Sequence, residues 1–283
     1  MTRRSARTDG TTGRKAKGEL TVLKLGGELI ESPEKAASLV SAVAALVAEG
    51  PLVIVHGGGK DIDIEAARRG LSKQTVDGLR ITDGPTLEAV VAALAGTVNT
   101  RLVGALSAAG IRAVGLTGAD ALVIPASRVA GHRTVTGTVV DLGLVGEPSI
   151  EDSPALLLDL LDRGYVPVLA CLGCTAQGEI LNINADTLAA DVARACRAGR
   201  LIVGGATAGV LDADGTTIER LDVVTLDSMI ADGRASAGMV AKLRACRSAL
   251  ESNIAVSIVD GRAVQEWTSA AGTRLVPLSP SLT

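Results

Sequence analysis

Three short apolar runs in this chain end abruptly in glycine: Thr21–Leu25 before Gly26-Gly27, Leu52–Val55 before His56-Gly57-Gly58-Gly59, and Leu201–Val203 before Gly204-Gly205. A run of this length without polar alternation reads as a strand buried on both faces. Glycine straight after it lets the backbone turn sharply or approach a ligand closely. Helical signals fill the intervals. Ser32 followed by Pro33 starts a helix, Leu39, Val40, Val43, Leu46 and Val47 share one face of it, and Gly50 stops it. A second helix passes through Ala66-Ala67. A long third one is capped by Thr82 or Asp83, carries Pro85 in its first turn and reaches about Ala108.

Further strands are expected at Ile111–Leu116, Val166–Leu169 and Ala255–Val259. Further helices are expected over Pro154–Leu161, from a strand end at Asn182 to Ala195, around Leu226–Ile230, and from about Met239 to Leu250. The β-branched stretch from Leu122 to Val140, around Gly131 and Gly137, reads as a hairpin. Strands alternating with helices imply right-handed crossovers and a mainly parallel central sheet covered on both faces, a three-layer α/β/α sandwich. A break near Cys196–Arg200 divides the pattern into two lobes, 19–195 and 196–283.

Composition narrows the function. Aromatics are 1% of the chain, with no Phe, so stacking platforms for nucleic-acid bases are nearly absent, and the net charge of −3 argues against a general nucleic-acid binder. Residues 1–18 hold six basic residues and one acid, and are expected to form a disordered basic tail. No segment reads as a signal peptide or as an apolar run long enough to span a bilayer, so a cytoplasmic enzyme is the expectation. Cys171 and Cys174 form a CxxC, but Cys196, Cys246, His56 and His132 do not complete a metal-ligand spacing, so no metal site is assigned.

The glycine turns carry the chemistry. At the carboxyl edge of a parallel sheet, backbone N–H groups and the start of the next helix together suit a phosphate or carboxylate. Each turn alone is as consistent with a plain tight turn. Gly59-Lys60 is followed by Asp61, so this is not a P-loop, and Gly57-Gly58-Gly59 does not make GxGxxG. Lys24 sits within an apolar strand two residues before a turn. It is either an edge residue reaching water or a cation aimed at the anion site. Asn182-Ile183-Asn184-Ala185-Asp186 closes a strand and opens a helix with more polar groups than one cap needs. Lys242 begins a helix and, taken alone, reads as a surface lysine.

In this order, the segments VLKLGGELI, VIVHGGG, DGLRITDGPTLEAVVAALAGTVN, LVGEP, GYVPVLACLG, LNINADTLAADVA, AGVLD, AGMVAKLRA, VDGR and GTRLV resemble the amino-acid kinase superfamily, with its carbamate kinase-like fold. DGLRIT points to the N-acetylglutamate kinase branch. The resemblance implies ATP-dependent phosphorylation of the γ-carboxylate of N-acetyl-L-glutamate, an acetylglutamate kinase reaction of arginine biosynthesis, with Mg2+ bridging the nucleotide phosphates. It implies that Lys24 and Lys242 embrace the transferring phosphoryl group and that Asp186 orients both. Gly26, Gly27 and Gly58 would bind that group. Gly58, Gly59, Arg80, Asn182 and Asn184 would hold the acylated amino acid, and Gly204, Gly205, Ala206 and Gly209 the nucleotide. The lobe 19–195 would bind the acyl amino acid and dimerise, and 196–283 would bind ATP.

Chemically this is coherent. The acceptor carboxylate is already a nucleophile at neutral pH, so positioning and charge stabilisation suffice. Arg80 suits bidentate carboxylate recognition, and Asp186 would keep both lysines protonated. The chain departs from the family's pattern at Ala206, where an acid is usual, at Lys60, and in the short segment from Arg262 to Gly272. That short segment, with a tail that is not an apolar helix, implies an arginine-insensitive homodimer, because arginine-inhibited hexamers of the family use both features. Two other readings stay open: a carboxylate kinase for another acylated or carrier-bound amino acid, and a non-catalytic ligand sensor of the same fold.

Overall fold

The computed structural model describes residues 18–134, 137–150, 154–232, 237–262 and 264–276. Almost all of the basic tail therefore lies outside the described residues. The apolar runs pair as one central sheet of eight strands: β1 (Thr21–Leu25), β2 (Leu52–His56), β3 (Ala113–Leu116), β4 (Val166–Ala170), β5 (Arg200–Gly205), β6 (Arg220–Asp222), β7 (Ala255–Asp260) and β8 (Gly272–Val276). Their order is β6-β8-β7-β5-β1-β2-β4-β3, and every neighbouring pair is parallel except β7 and β8. The sheet runs unbroken past residues 196–200, because β5 pairs with β1 on one side and β7 on the other.

Seven helices are described: α1 (Pro33–Glu49), α2 (Gly59–Arg68), α3 (Gly84–Ala108), α4 (Ala155–Asp162), α5 (Ala185–Ala195), α6 (Val223–Ala231) and α7 (Ala237–Glu251). Strand alternation sorts the core into two layers. Leu23 and Leu25 of β1 and Ile54 of β2 pack with Leu39, Val43 and Leu46 of α1 and with Val98, Leu102 and Leu106 of α3. Val22, Val53 and Val55 face the opposite way, onto Leu188, Ala189 and Val192 of α5 and Leu243 and Cys246 of α7. Each such fully buried Leu or Val contributes about 1.5–3 kcal/mol. Lys24 shares its parity with Val22, so the pleat aims it toward α5 and α7.

The helix starts follow their sequence signals. Ser32 Oγ accepts the N–H of Lys35, and Pro33 is the first helical residue of α1. Asp83, not Thr82, caps α3 by accepting the Thr86 N–H at 2.9 Å. Thr82 is instead fully buried. The middle of α3, Ala92–Val98, is wound as a π-helix.

Two expectations need correction. α3 is long and apolar enough to cross a membrane by length and composition, with a mean hydropathy of 1.5 over its most apolar window. Its inner face, including Leu94, Val98, Leu102 and Leu106, is buried against this protein's own core, and that packing accounts for the apolarity. The stretch Leu122–Val140 is not one hairpin. His132–Arg133 and Val139–Val140 form a short hairpin, with residues 135–136 outside the described set. Ala126–Arg128 instead joins Val145–Pro148 in a second sheet of order Leu172–Cys174, Ile180–Ile183, Val145–Pro148, Ala126–Arg128. A further hairpin, Thr75–Val76 with Leu79–Arg80, turns through Asp77-Gly78, both at positive φ.

Candidate active site

The register of the sheet brings the three glycine turns together. Leu25 of β1 lies opposite His56 of β2 and Gly204 of β5, so all three strands end at one level. The turns then touch. A Cβ on Gly27 would come 2.7 Å from the Cα of Gly58, so the two backbones meet where neither residue has room for a side chain. Gly57 donates its N–H to Leu25 O at 3.0 Å, and Gly26 donates its own to Gly204 O at 2.9 Å. Gly26 thus spends its N–H tying the first turn to the third, which leaves anion contacts in this turn to Gly27. Gly58 is the N-cap of α2, whose first N–H groups have no acceptor within the helix.

Beside these turns lies a buried ion cluster. Asp186, in the first turn of α5, places Oδ1 2.9 Å from Lys24 Nζ and 3.0 Å from Lys242 Nζ, and Oδ2 is 3.1 Å from the latter. Lys24 is only 7% exposed and sits on a central strand, which removes the edge-strand reading. Lys242 reaches the cluster from α7 with its side chain 13% exposed, so it is no surface lysine. Asn184 caps α5 by accepting the N–H groups of Asp186 and Thr187, which fixes the turn carrying Asp186.

The three charges do not respond alike. Burial alone would lower the pKa of Lys24, but Asp186 more than offsets it and the net shift is upward. For Lys242, burial together with the charge of Lys24 outweighs Asp186, and the shift is downward. Burial disfavours the Asp186 carboxylate, yet the two ammonium groups overcome this and hold it below the usual carboxylate range. One carboxylate thus serves both lysines, and the two respond in opposite directions because like charges share it.

Next to the cluster is a cavity of about 260 Å³ lined by Gly57, Gly58 and Gly59 on one side and Arg80, Asn182 and Asn184 on another. All five residues expected to hold the acceptor therefore line one space. The Arg80 side chain is 10% exposed and pairs with Asp63 of α2, which also binds Lys73 at 2.9 Å. Burial pushes the Asp63 pKa up, but Arg80 and Lys73 outweigh it and the net shift is downward. Asn182 donates to Thr82 Oγ1 at 3.1 Å, and Thr82 Oγ1 donates to Arg80 O at 3.1 Å, so the wall carrying Arg80 is cross-linked to the strand carrying Asn182. Sequence reasoning missed Asp63, Lys73 and Thr82. Lys60 stays outside the cavity, exposed and 3.0 Å from Glu31.

The third turn is less open. Gly204 backs onto Trp267, whose ring would lie 2.7 Å from a Cβ there, and Ala206 donates its N–H to Glu28 Oε1 at 2.9 Å. A Cβ on Gly205 would also lie 3.3 Å from Glu28 Oε1. Gly209, at φ +125°, packs on Thr217 and Thr273 and does not line the cavity beside Arg80.

Residues 19–260 match the amino acid kinase family. An acetylglutamate kinase of Symbiobacterium thermophilum is 38% identical over 254 residues, covering 88% of this chain and 86% of that protein. A structure of N-acetylglutamate synthase from Neisseria gonorrhoeae, complexed with coenzyme A and N-acetylglutamate, superimposes with a TM-score of 0.79 at 25% identity. It covers 93% of this chain, which spans 60% of the synthase chain. Carbamate kinase of Giardia, at 13% identity and a TM-score of 0.69, shares the fold. The family match spans the three glycine turns and the lysines around Asp186, and the chain belongs to the amino acid kinase family.

Proposed function

We propose that this protein phosphorylates the γ-carboxylate of N-acetyl-L-glutamate at the expense of ATP, as an acetylglutamate kinase. One observation carries the reading: the two lysines share Asp186, two residues from Asn184, which lines a cavity together with Arg80, Asn182 and the Gly57–Gly59 turn. Arg80 takes the α-carboxylate and Asn182 and Asn184 orient the acyl amino acid. An oxygen of the γ-carboxylate attacks the γ-phosphorus of ATP. A P–O bond forms as the bond to the bridging oxygen breaks, and ADP leaves with that electron pair. The acceptor is ionised at neutral pH, so no proton moves and no general base is needed. Lys24, Lys242 and the N–H groups of Gly27 and Gly58 stabilise charge spread over the phosphoryl oxygens.

Mg2+ accompanies ATP in this reading. Among the described residues no set of three acidic, His or Cys side chains is grouped to hold an ion, and Asp186 is committed to two lysines. Bound with ATP, the ion would take its ligands from the nucleotide phosphates and water.

The nucleotide is assigned to 196–283, against Gly205 and Ala206, with Glu28 leaving the Ala206 N–H. Trp267 is the chain's single tryptophan and packs under Gly204. Its emission therefore shifts saturably with ADP and not with acceptor alone; a response to neither would move the nucleotide elsewhere. The enzyme is taken to be a homodimer whose activity withstands millimolar arginine. Light scattering and an arginine titration test both, and a hexamer or sharp inhibition would refute them.

A second reading has its own observation. Leu79 and Asn184 also line a neighbouring pocket of about 530 Å³ that reaches His132, Arg133 and Arg244, which leaves room for a bulkier acyl or carrier-bound acceptor. ADP release measured with N-acetylglutamate, longer acyl-glutamates and acyl-aminoadipates separates the two. The first reading expects the highest kcat/KM with N-acetyl-L-glutamate, and preference for a larger acceptor would replace it.

A further inference from the structure

The inner side of the second glycine turn is held by a buried relay that no part of the proposed reaction uses. His56, the last residue of β2, is fully buried, and Asn99, just after the π-helical segment of α3, is 6% exposed. The Asn99 amide lies 2.9 Å from Val168 O and 3.0 Å from His56 Nε2. A carbonyl can only accept, so the Val168 contact fixes the NH2 end of the amide. Its second hydrogen then points at Nε2, which must be bare. The ring proton is left on Nδ1, 3.0 Å from Gly57 O, which accepts it.

Neighbouring residues make room for this chain of hydrogen bonds. A Cβ on Gly115 would lie 2.0 Å from Asn99 Oδ1. The π segment supplies Leu94 and Val98, which would stand 2.8 and 3.1 Å from a Cβ on Gly58. A π segment shifts every later side chain around the helix relative to a plain α-helix, and here it brings Leu94 and Val98 under the turn with Asn99 under His56.

We infer that His56, locked by Asn99 as the Nδ1–H tautomer, is a positioning residue that clamps the Gly57 carbonyl and so fixes the direction of the adjoining Gly58 and Gly59 backbone toward the cavity. This rests on reading the Gly57–Gly59 turn as part of the kinase site. The clamp works only with a neutral ring, since a second ring proton would face the Asn99 NH2 donor. Burial pulls the pKa of His56 down to about 4; the Gly57 carbonyl opposes this, Arg101 adds to it and Asp61 opposes it.

The test has two arms. Long-range 1H–15N spectra of the wild-type protein, which has two histidines, read the tautomer directly. The clamp requires protonated Nδ1 and bare Nε2 at His56, with no titration between about pH 6 and 8. An Nε2–H tautomer or an ordinary histidine titration overturns it. Kinetics of His56→Leu and His56→Gln form the second arm. A misplaced turn costs about 10²-fold in kcat/KM for His56→Leu. Gln, which can still accept from Asn99 and donate to Gly57 O, recovers most of that loss. A folded His56→Leu protein with wild-type kcat and KM overturns the inference. Wild-type inactivity with every acceptor would count against the kinase reading alone, and the tautomer spectrum would still decide the clamp.

Discussion

Lys24 and Lys242 meet at a single oxygen of Asp186, at 2.9 and 3.0 Å, although one is carried by a central strand and the other by the last described helix. Holding two cations together inside a protein is costly unless an anion is shared between them. The geometry therefore stores positive charge next to the cavity, and a phosphoryl group entering there meets cations already in place.

Removing that shared anion should be felt in stability. Asp186→Asn leaves two buried ammonium groups facing each other and is expected to cost about 3 kcal/mol in urea unfolding at neutral pH. The folded-state pKa of Asp186 lies below its ordinary value of 3.8, so its contribution is complete above that value and fades as pH falls through the folded pKa. The gap between wild type and variant should hold from about pH 7 to 5 and narrow below about pH 4. A gap that widens on acidification contradicts the assignment.

The glycines make a graded set. Gly27→Ala drives a methyl into the backbone of Gly58 at 2.7 Å, whereas Gly58→Ala meets the ends of Leu94 and Val98, and Gly59→Ala meets nothing within 4 Å. Overpacking of the first two kinds costs about 1–3 kcal/mol, with Gly27→Ala the worse because backbone cannot rotate away. Gly59→Ala, at the first residue of α2, should leave the unfolding free energy unchanged within about 0.5 kcal/mol. Equal effects at all three would show that the turns are not in contact.

Arg80 should control one substrate and not the other. Losing a charge-assisted contact of about 1.5–3 kcal/mol raises KM for the acyl amino acid about 10–150-fold in Arg80→Ala, while KM for ATP stays near wild type. Arg80→Lys should recover little, because an ammonium cannot make the forked contact. Steady-state kinetics with each substrate varied in turn decide this, and a parallel rise in both KM values would contradict it.

Residues that stand beside a strand end announced themselves in the sequence. Lys24 before Gly26-Gly27, the Asn182–Asp186 strand-to-helix turn and the three glycine runs could be placed because a parallel sheet delivers all its carboxyl ends to one edge. Lys242 drew its role from resemblance alone, since one lysine on a helix has no local signal of burial. Asp63, Lys73 and Thr82 were missed because their partners are set by a two-residue hairpin and a tertiary crossing, neither of which leaves a periodic trace. The π segment was equally hidden: one extra residue per turn barely disturbs an apolar stripe already rich in Ala, Val and Leu. The strands of the small second sheet are three or four residues long, too short for alternation to register.

The central claim is that Lys24 and Lys242 stabilise the transferring phosphoryl group on a carboxylate acceptor. Trapping the acyl phosphate with hydroxylamine, in the presence of ATP, Mg2+ and N-acetyl-L-glutamate, measures that directly. Wild type should form hydroxamate in proportion to enzyme, and Lys24→Ala and Lys242→Ala should each lower kcat by about 10²–10³-fold. Hydroxamate formed at the wild-type rate by either folded variant would contradict the account.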